Sequence, residues 1–295
     1  MKNIITTLLF FTLTLCSCEE TELPQPQSTL VVEGWIENGY PPIVILTRPV
    51  IITSDYQNYE DLYDYVVRWA KVSVVCDNDT VVLTGKYDPD YTPSYIYTTG
   101  RMFGEVGKTY KLIVEYDSHR ATAETTILPP PNITGSRLQR VEAYNALYQI
   151  ELTLEDISPE RNYYQCFYKV GRDTQQFFTT YLGTFDDNAF NYTQPIKILK
   201  GNNILTDPEN ATIYFLPYEY VTVKVAHIDQ GAYHFWDIYS QNVELSYNMF
   251  LNNTTSIPTN ITGGSGYWCG MGSRRVNMIT YDFDLEILVS GKHKF

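Results

Sequence analysis

From Thr29 onward the apolar residues fall in short runs broken by turn residues. Leu30–Ile36 and Ile43–Leu46 are the first two runs, and each predicts a strand. Val72–Cys76 and Thr80–Thr84 flank Asp77-Asn78-Asp79, the pattern of a hairpin with a three-residue loop. Thr109–Tyr116 and Arg120–Ile127 flank Asp117-Ser118-His119 in the same way, and Gly104-Glu105-Val106-Gly107-Lys108 turns the chain into the former. Several short strands at this spacing read as a β-sandwich of immunoglobulin-like or transthyretin-like type. Ser54–Tyr65 is polar, acidic and tyrosine-rich, and reads as a long loop or a single helical turn between strands.

Pro129-Pro130-Pro131 cannot donate ladder hydrogen bonds, so a domain boundary is expected there. The first unit, 29–131, is expected to fold alone. The second, 132–295, opens on Tyr148–Leu154, where Tyr148, Ile150, Leu152 and Leu154 share one face. Tyr163–Val170, Gln176–Tyr181 and Tyr218–Ile228 follow as strands, the last with Val221, Val223 and Val225 on one side. The period then changes: Phe235, Ile238, Tyr239, Asn242, Val243 and Tyr247 fall at helical spacing, which predicts a helix over Ala232–Met249. The glycine-rich stretch Ile257–Gly272 is expected as a tight irregular loop packed on the sheet. Val276–Tyr281 and Leu285–Val289 are expected as closing strands. The fold class is therefore mostly β, a sandwich followed by a second β-rich domain with one substantial helix near 232–249.

The N-terminus has a different texture. Lys2 precedes an apolar run, Ile4–Leu15, too short to span a bilayer but suited to a signal-peptide core. Leu15-Cys16-Ser17-Cys18 resembles a bacterial lipobox, which makes 1–17 the signal peptide and Cys18 the lipidated first residue. Several acyl chains give stable anchoring, at about 0.8 kcal/mol per buried CH2. Glu19-Glu20-Thr21-Glu22 follows and resembles an acidic surface-export signal, carried by Glu19, Glu20 and Glu22. Residues 18–28, with Pro24 and Pro26, form a stiff lipidated tether.

Charge and composition narrow the function. Lys and Arg total 21 against 34 Asp and Glu, a net charge of −13, which argues against nucleic-acid binding. Of the five cysteines, Cys76, Cys166 and Cys269 remain in the mature chain, and Cys166 with Cys269 is the one plausible disulfide, set against three buried thiols. The four histidines (119, 227, 234 and 293) have no zinc-ligand spacing. Asp88-Pro89-Asp90 and Asp186-Asp187 follow no calcium-loop pattern, so no metal and no cofactor are expected. No phosphate loop or nucleophile elbow surrounds the glycines. There are 26 tyrosines. Strand packing accounts for most of them, but Tyr56, Tyr59, Tyr63 and Tyr65 lie in the inserted stretch and are candidates for ligand or partner contact, with Tyr87, Tyr91, Tyr95 and Tyr97 close by in sequence. Asp79-Thr80-Val81 matches a short bacterial O-glycosylation pattern at a hairpin tip.

Four segments in order carry a resemblance: Leu30-Val31-Val32-Glu33-Gly34-Trp35-Ile36-Glu37-Asn38-Gly39, then Gly104-Glu105-Val106-Gly107-Lys108-Thr109-Tyr110, then Asp156 to Tyr164, then Pro258-Thr259-Asn260-Ile261-Thr262-Gly263-Gly264-Ser265-Gly266. Together they resemble the Bacteroidota lipoprotein family called domain of unknown function 4249. Tyr267-Trp268-Cys269 departs from the aromatic–glycine run expected next. The resemblance implies an outer-membrane lipoprotein, often encoded beside a TonB-dependent outer-membrane transporter, and it assigns no catalytic residues. The expectation is a surface-exposed, non-enzymatic accessory or binding partner of such a transporter. The alternative is a structural or adhesive β-sandwich surface protein with no transporter.

Overall fold

Alternating apolar and polar positions build most of the described chain into strands, because one face of each strand leaves water while the other need not. The computed structural model describes residues 30–49, 63–141, 147–155, 160–172, 176–188, 195–201, 212–246 and 257–281. The strands are β1 (Val31–Glu37), β2 (Ile43–Thr47), β3 (Lys71–Cys76), β4 (Asp79–Val82), β5 (Thr84–Tyr87), β6 (Tyr95–Thr98), β7 (Thr109–Tyr116), β8 (His119–Thr126), β9 (Asn132–Arg140), β10 (Tyr148–Glu155), β11 (Tyr163–Val170), β12 (Phe178–Asp186), β13 (Ile196–Ile198) and β14 (Tyr220–Ile228). Helix α1 (Gln230–Ser246) and strand β15 (Ser265–Ile279) complete the described elements.

The framework is one eight-stranded sheet, ordered β12-β11-β14-β15-β1-β2-β6-β5. Two smaller sheets, β4-β3-β7-β8 and β13-β10-β9, pack on it. The four-stranded sheet encloses a core with Val32, Ile36, Val44, Leu46, Tyr97 and Trp268 of the large sheet. The three-stranded sheet encloses a second core of Ile150, Leu152 and Ile198 against Tyr164, Cys166, Val221, Val223 and Val225. Both cores lie on one face of the large sheet, since alternate residues Trp268, Val276 and Met278 of β15 reach them. The opposite face carries Tyr163, Ala226, Tyr267, Cys269 and Met271, covered by Ala232 and Phe235 of α1.

The two halves share β15. Its residues 265–271 pair in parallel with β1, and residues 272–279 pair antiparallel with β14. The boundary expected at Pro129–Pro131 therefore does not separate two sheets: β15 completes the first core while extending the second. The glycine-rich stretch, expected as a loop, is strand from Ser265 onward. The reason is close approach. A Cβ on Gly266 would meet the Val32 carbonyl, and one on Gly270 would sit 2.5 Å from the Thr126 carbonyl. Only hydrogen fits where these backbones pass, so the glycines mark contact rather than a break in the strand.

Smaller differences have local causes. Both hairpins use two-residue turns, because Asp79 pairs with Cys76 and His119 with Tyr116. Asp77 and Asp117 take φ of 52° and 53°, the left-handed geometry that matches strand twist. The run expected over Thr80–Thr84 breaks at buried Leu83, where the chain passes from β4 in one sheet to β5 in the other. Helix α1 begins at Gln230, two residues before the expected start, because Asp229 Oδ1 accepts a bond from the Ala232 amide at 2.8 Å. The expected end at Met249 and the strand expected over Leu285–Val289 lie outside the described residues.

The proline segment is tied to the second half by His227, whose Nδ1 donates to the Pro129 carbonyl at 2.8 Å. Burial holds the His227 imidazole below the usual histidine range, opposed by this bond and by Asp187. The unfolded chain takes up that proton near pH 6.5, while the folded chain resists until lower pH. Between those values the unfolded state binds more protons, so stability falls as pH drops below about 6.5. Melting temperature should decline between pH 7.5 and 5.5, and His227→Asn should flatten the decline. An equal slope in the variant would place the pH dependence on other groups.

Candidate functional site

Strands β14, β15 and β1 lie side by side in that order, with Lys224 opposite Arg275 and Glu37 opposite Met271. Glu37 ends β1, and its carboxylate accepts from Lys224 Nζ of β14 at 3.2 Å and from Arg275 Nη2 of β15 at 2.6 Å. The three side chains are 4%, 6% and 24% exposed, so this is an ion cluster at the sheet surface largely withdrawn from water. Lys224 lies 4.4 Å from the Phe167 ring centre and 4.6 Å from that of Phe177. Burial pulls its ammonium below the usual lysine range, and Glu37 opposes this. The Arg275 guanidinium stacks 3.7 Å above Tyr40, so a carboxylate and a ring both orient its plane.

Two clefts of about 300 Å³ each meet at Tyr40 and Arg275. One is lined by Glu37, Asn38, Pro130, Ser273 and Arg274 besides that pair. The other adds Lys169, Arg172, Phe177, Tyr220, Thr222 and Asn277. Lys169 Nζ lies 5.3 Å from the Phe177 ring centre, and Arg172 lies 4.6 Å from that of Tyr220. The ammonium of Lys169 is held low by burial and then by the like charge of Arg275, with Asp90 acting the other way. Thr222 Oγ1 donates to Asn277 Oδ1 at 2.8 Å. Among the described residues, no three His, Cys, Asp or Glu side chains are placed to hold a metal ion.

Segments that carry the family resemblance also meet along β15. Asn260 accepts from the Trp268 amide at 2.9 Å and donates to its carbonyl at 2.8 Å, and Thr259 donates to the Gly266 carbonyl at 2.7 Å. The Trp268 indole donates to the Tyr110 carbonyl at 3.0 Å. Gly104 bridges to Asn38, where a Cβ would strike the Glu37 carbonyl. Of the four segments that carry the resemblance, one is β1 itself, paired with β15, and two others bond to β15 or β1 on either side of that pairing. The family model described as Domain of unknown function (DUF4249) matches residues 19–275. The chain belongs to this DUF4249 family. No curated protein matches it.

Within this DUF4249 chain the residues expected from sequence are scattered. Cys18, Glu19, Glu20, Glu22, Tyr56 and Tyr59 lie outside the described residues. Tyr63 is exposed at a short 3-10 turn over 63–65, with its hydroxyl 3.3 Å from Ser94 Oγ, and Tyr65 is half-buried beneath Arg48. Tyr97 is buried; it donates to the Val67 carbonyl and accepts from the Ala70 amide, and burial pushes its hydroxyl up to about 12. Tyr95 donates to the Arg68 carbonyl, while Tyr87 stands exposed on the outermost strand. The Cys166–Cys269 disulfide does not form: both thiols are free. Cys166 faces Val225, which faces Arg274, five positions along β15 from Cys269. At about 3.3 Å per residue that separation exceeds the Cα reach of about 7 Å for a disulfide. The two cysteines also face opposite sides of the large sheet, in different cores.

None of the residues of the ion cluster was singled out from sequence. The available signal was Lys224 inside the apolar run Val221–Ile228, together with Arg274-Arg275 in the last strand. A charge in an otherwise apolar strand needs a partner.

Proposed function

We propose that the protein is a non-enzymatic lipoprotein, anchored to the outer membrane through Cys18 and facing the cell exterior, that acts as an accessory or binding partner of a TonB-dependent outer-membrane transporter. The lipobox, the acidic run at Glu19, Glu20 and Glu22, and membership of the DUF4249 family support this reading. The partner role rests on one observation: aromatic side chains stand in water beside the β5–β6 edge of the large sheet. Trp69, in the segment before β3, is 89% exposed, Tyr87 on β5 is 71% exposed, and exposed Tyr63 reaches Ser94 just before β6. The hydroxyls of Tyr95 and Tyr97 bind the backbone of residues 67, 68 and 70, so the segment carrying Trp69 is held in place. A tethered, water-exposed indole suits an interface anchor.

Co-purification in mild detergent tests the proposal. The wild-type chain should retain a barrel partner, and Trp69→Ala should lower its recovery at least tenfold, given hot-spot losses of about 2 kcal/mol or more. A wild-type preparation with no barrel would favour the alternative, a structural or adhesive surface protein. The anchor is tested separately. Cys18→Ser should remain an uncleaved precursor and leave the membrane fraction, and fatty-acid label on that variant would refute the lipobox assignment.

A further inference from the structure

In a chain of net charge −13, one cleft gathers Lys169, Arg172 and Arg275, with no carboxylate among the described residues that line it. Lys169 and Arg275 are half-buried and Arg172 stands exposed beside them; positive groups gathered in this way repel one another and draw in anions. Asp90 offsets part of this charge at Lys169, and Glu37 offsets part of it at Arg275 while also serving Lys224. The charge is also pre-oriented. Arg275 is pinned by Glu37 and Tyr40, and its Nε–H has no hydrogen-bond partner among the described residues. The walls add Phe177 and Tyr220 as flat apolar faces. With the Asn277 oxygen taken by Thr222, the amide NH2 of Asn277 is left as a donor for a hydroxylated body. A volume of about 300 Å³ stands at the lower end of small-molecule sites, the size for one ring and one acid group.

We infer that this cleft binds a small organic anion, a single hydroxylated ring bearing a carboxylate or a phosphate, with the acid group among Lys169, Arg172 and Arg275 and the ring against Phe177 and Tyr220. The inference goes beyond the accessory role and depends on neither the anchor nor the transporter. A protein without a barrel partner can still bind the anion, and one with a partner can fail to.

Titration calorimetry on the full-length protein in mild detergent tests it with matched probes. Glucuronate is compared with its methyl ester, and glucose 6-phosphate with glucose. At least one acid should bind ten times more tightly than its neutral counterpart, and which one does so identifies the acid group. That binding should weaken as salt rises. Arg172→Gln should weaken it at least tenfold without moving the melting temperature, since Arg172 is exposed and lies outside the strand ladders. Lys169→Gln should weaken it similarly. Acids that bind no better than their neutral counterparts, or binding that survives both substitutions, would overturn the inference.

Discussion

A fragment of residues 28–131 is expected to show no cooperative melt and poorly dispersed amide NMR signals, although it contains all of β1 to β8. It lacks β15, the parallel partner of β1, and loses the side chains of Trp268 on that strand and of Ile261 just before it from the first core. Trp268 is the largest fully buried side chain among the described residues, and Gly34 on β1 leaves the space its ring occupies. Losing such a ring alone costs about 3–5 kcal/mol, a large part of a typical stability of about 5–15 kcal/mol. The fragment would also expose the β1 edge beside Val32 and Ile36, inviting association between copies. Heat denaturation followed by circular dichroism, with NMR dispersion, is the measurement. A sharp melt from the fragment would show that the first sandwich closes without β15.

Replacing Glu37 by Ala should destabilise the full chain by about 3–5 kcal/mol, because it leaves two withdrawn cations facing each other without their carboxylate. At about 2–4 °C per kcal/mol, the melting temperature should fall by roughly 10 °C. The pH dependence identifies the cause. Lys224 is already held low by burial, and removing Glu37 takes away what raises it. The unfolded chain then binds a proton at Lys224 that the folded chain gives up, so stability of the variant should rise with pH towards the normal lysine range. Part of the deficit should therefore be recovered between pH 7 and 10. Equal losses at both pH values would mean that shape, not charge, is what Glu37 supplies. Lys224→Met tests the other side: it removes a cation but keeps an apolar stem between Phe167 and Phe177, and it should cost less than the loss of Glu37.

Local pattern was enough to locate β7 and β11 to the residue and the start of α1 to within two residues, because period-2 and helical spacing are properties of neighbours in the chain. The strand β9 was not legible: its residues Asn132–Arg140 are mostly polar, and only Ile133 and Leu138 pack on the second core. The tyrosine count was plain, but its division was not. Tyr87 and Tyr97 lie on paired strands in similar sequence contexts, yet one faces water and the other the core.

By itself the chain determined its β-rich character, the helix that starts at Gln230 and the sharp turns at Asp77 and Asp117, since each follows from residues close in sequence. Tertiary structure alone decided that the glycine-rich stretch is a strand, that one strand joins both sandwiches, and that Glu37, Lys224 and Arg275 form one cluster. The physical reason is separation. Glu37 and Arg275 are 238 residues apart, and parallel pairing of β1 with β15 depends on a long crossover that no local period records. Glycine in isolation signals flexibility. It becomes a strand residue only when another backbone, here at Val32 and Thr126, takes the space a side chain would fill.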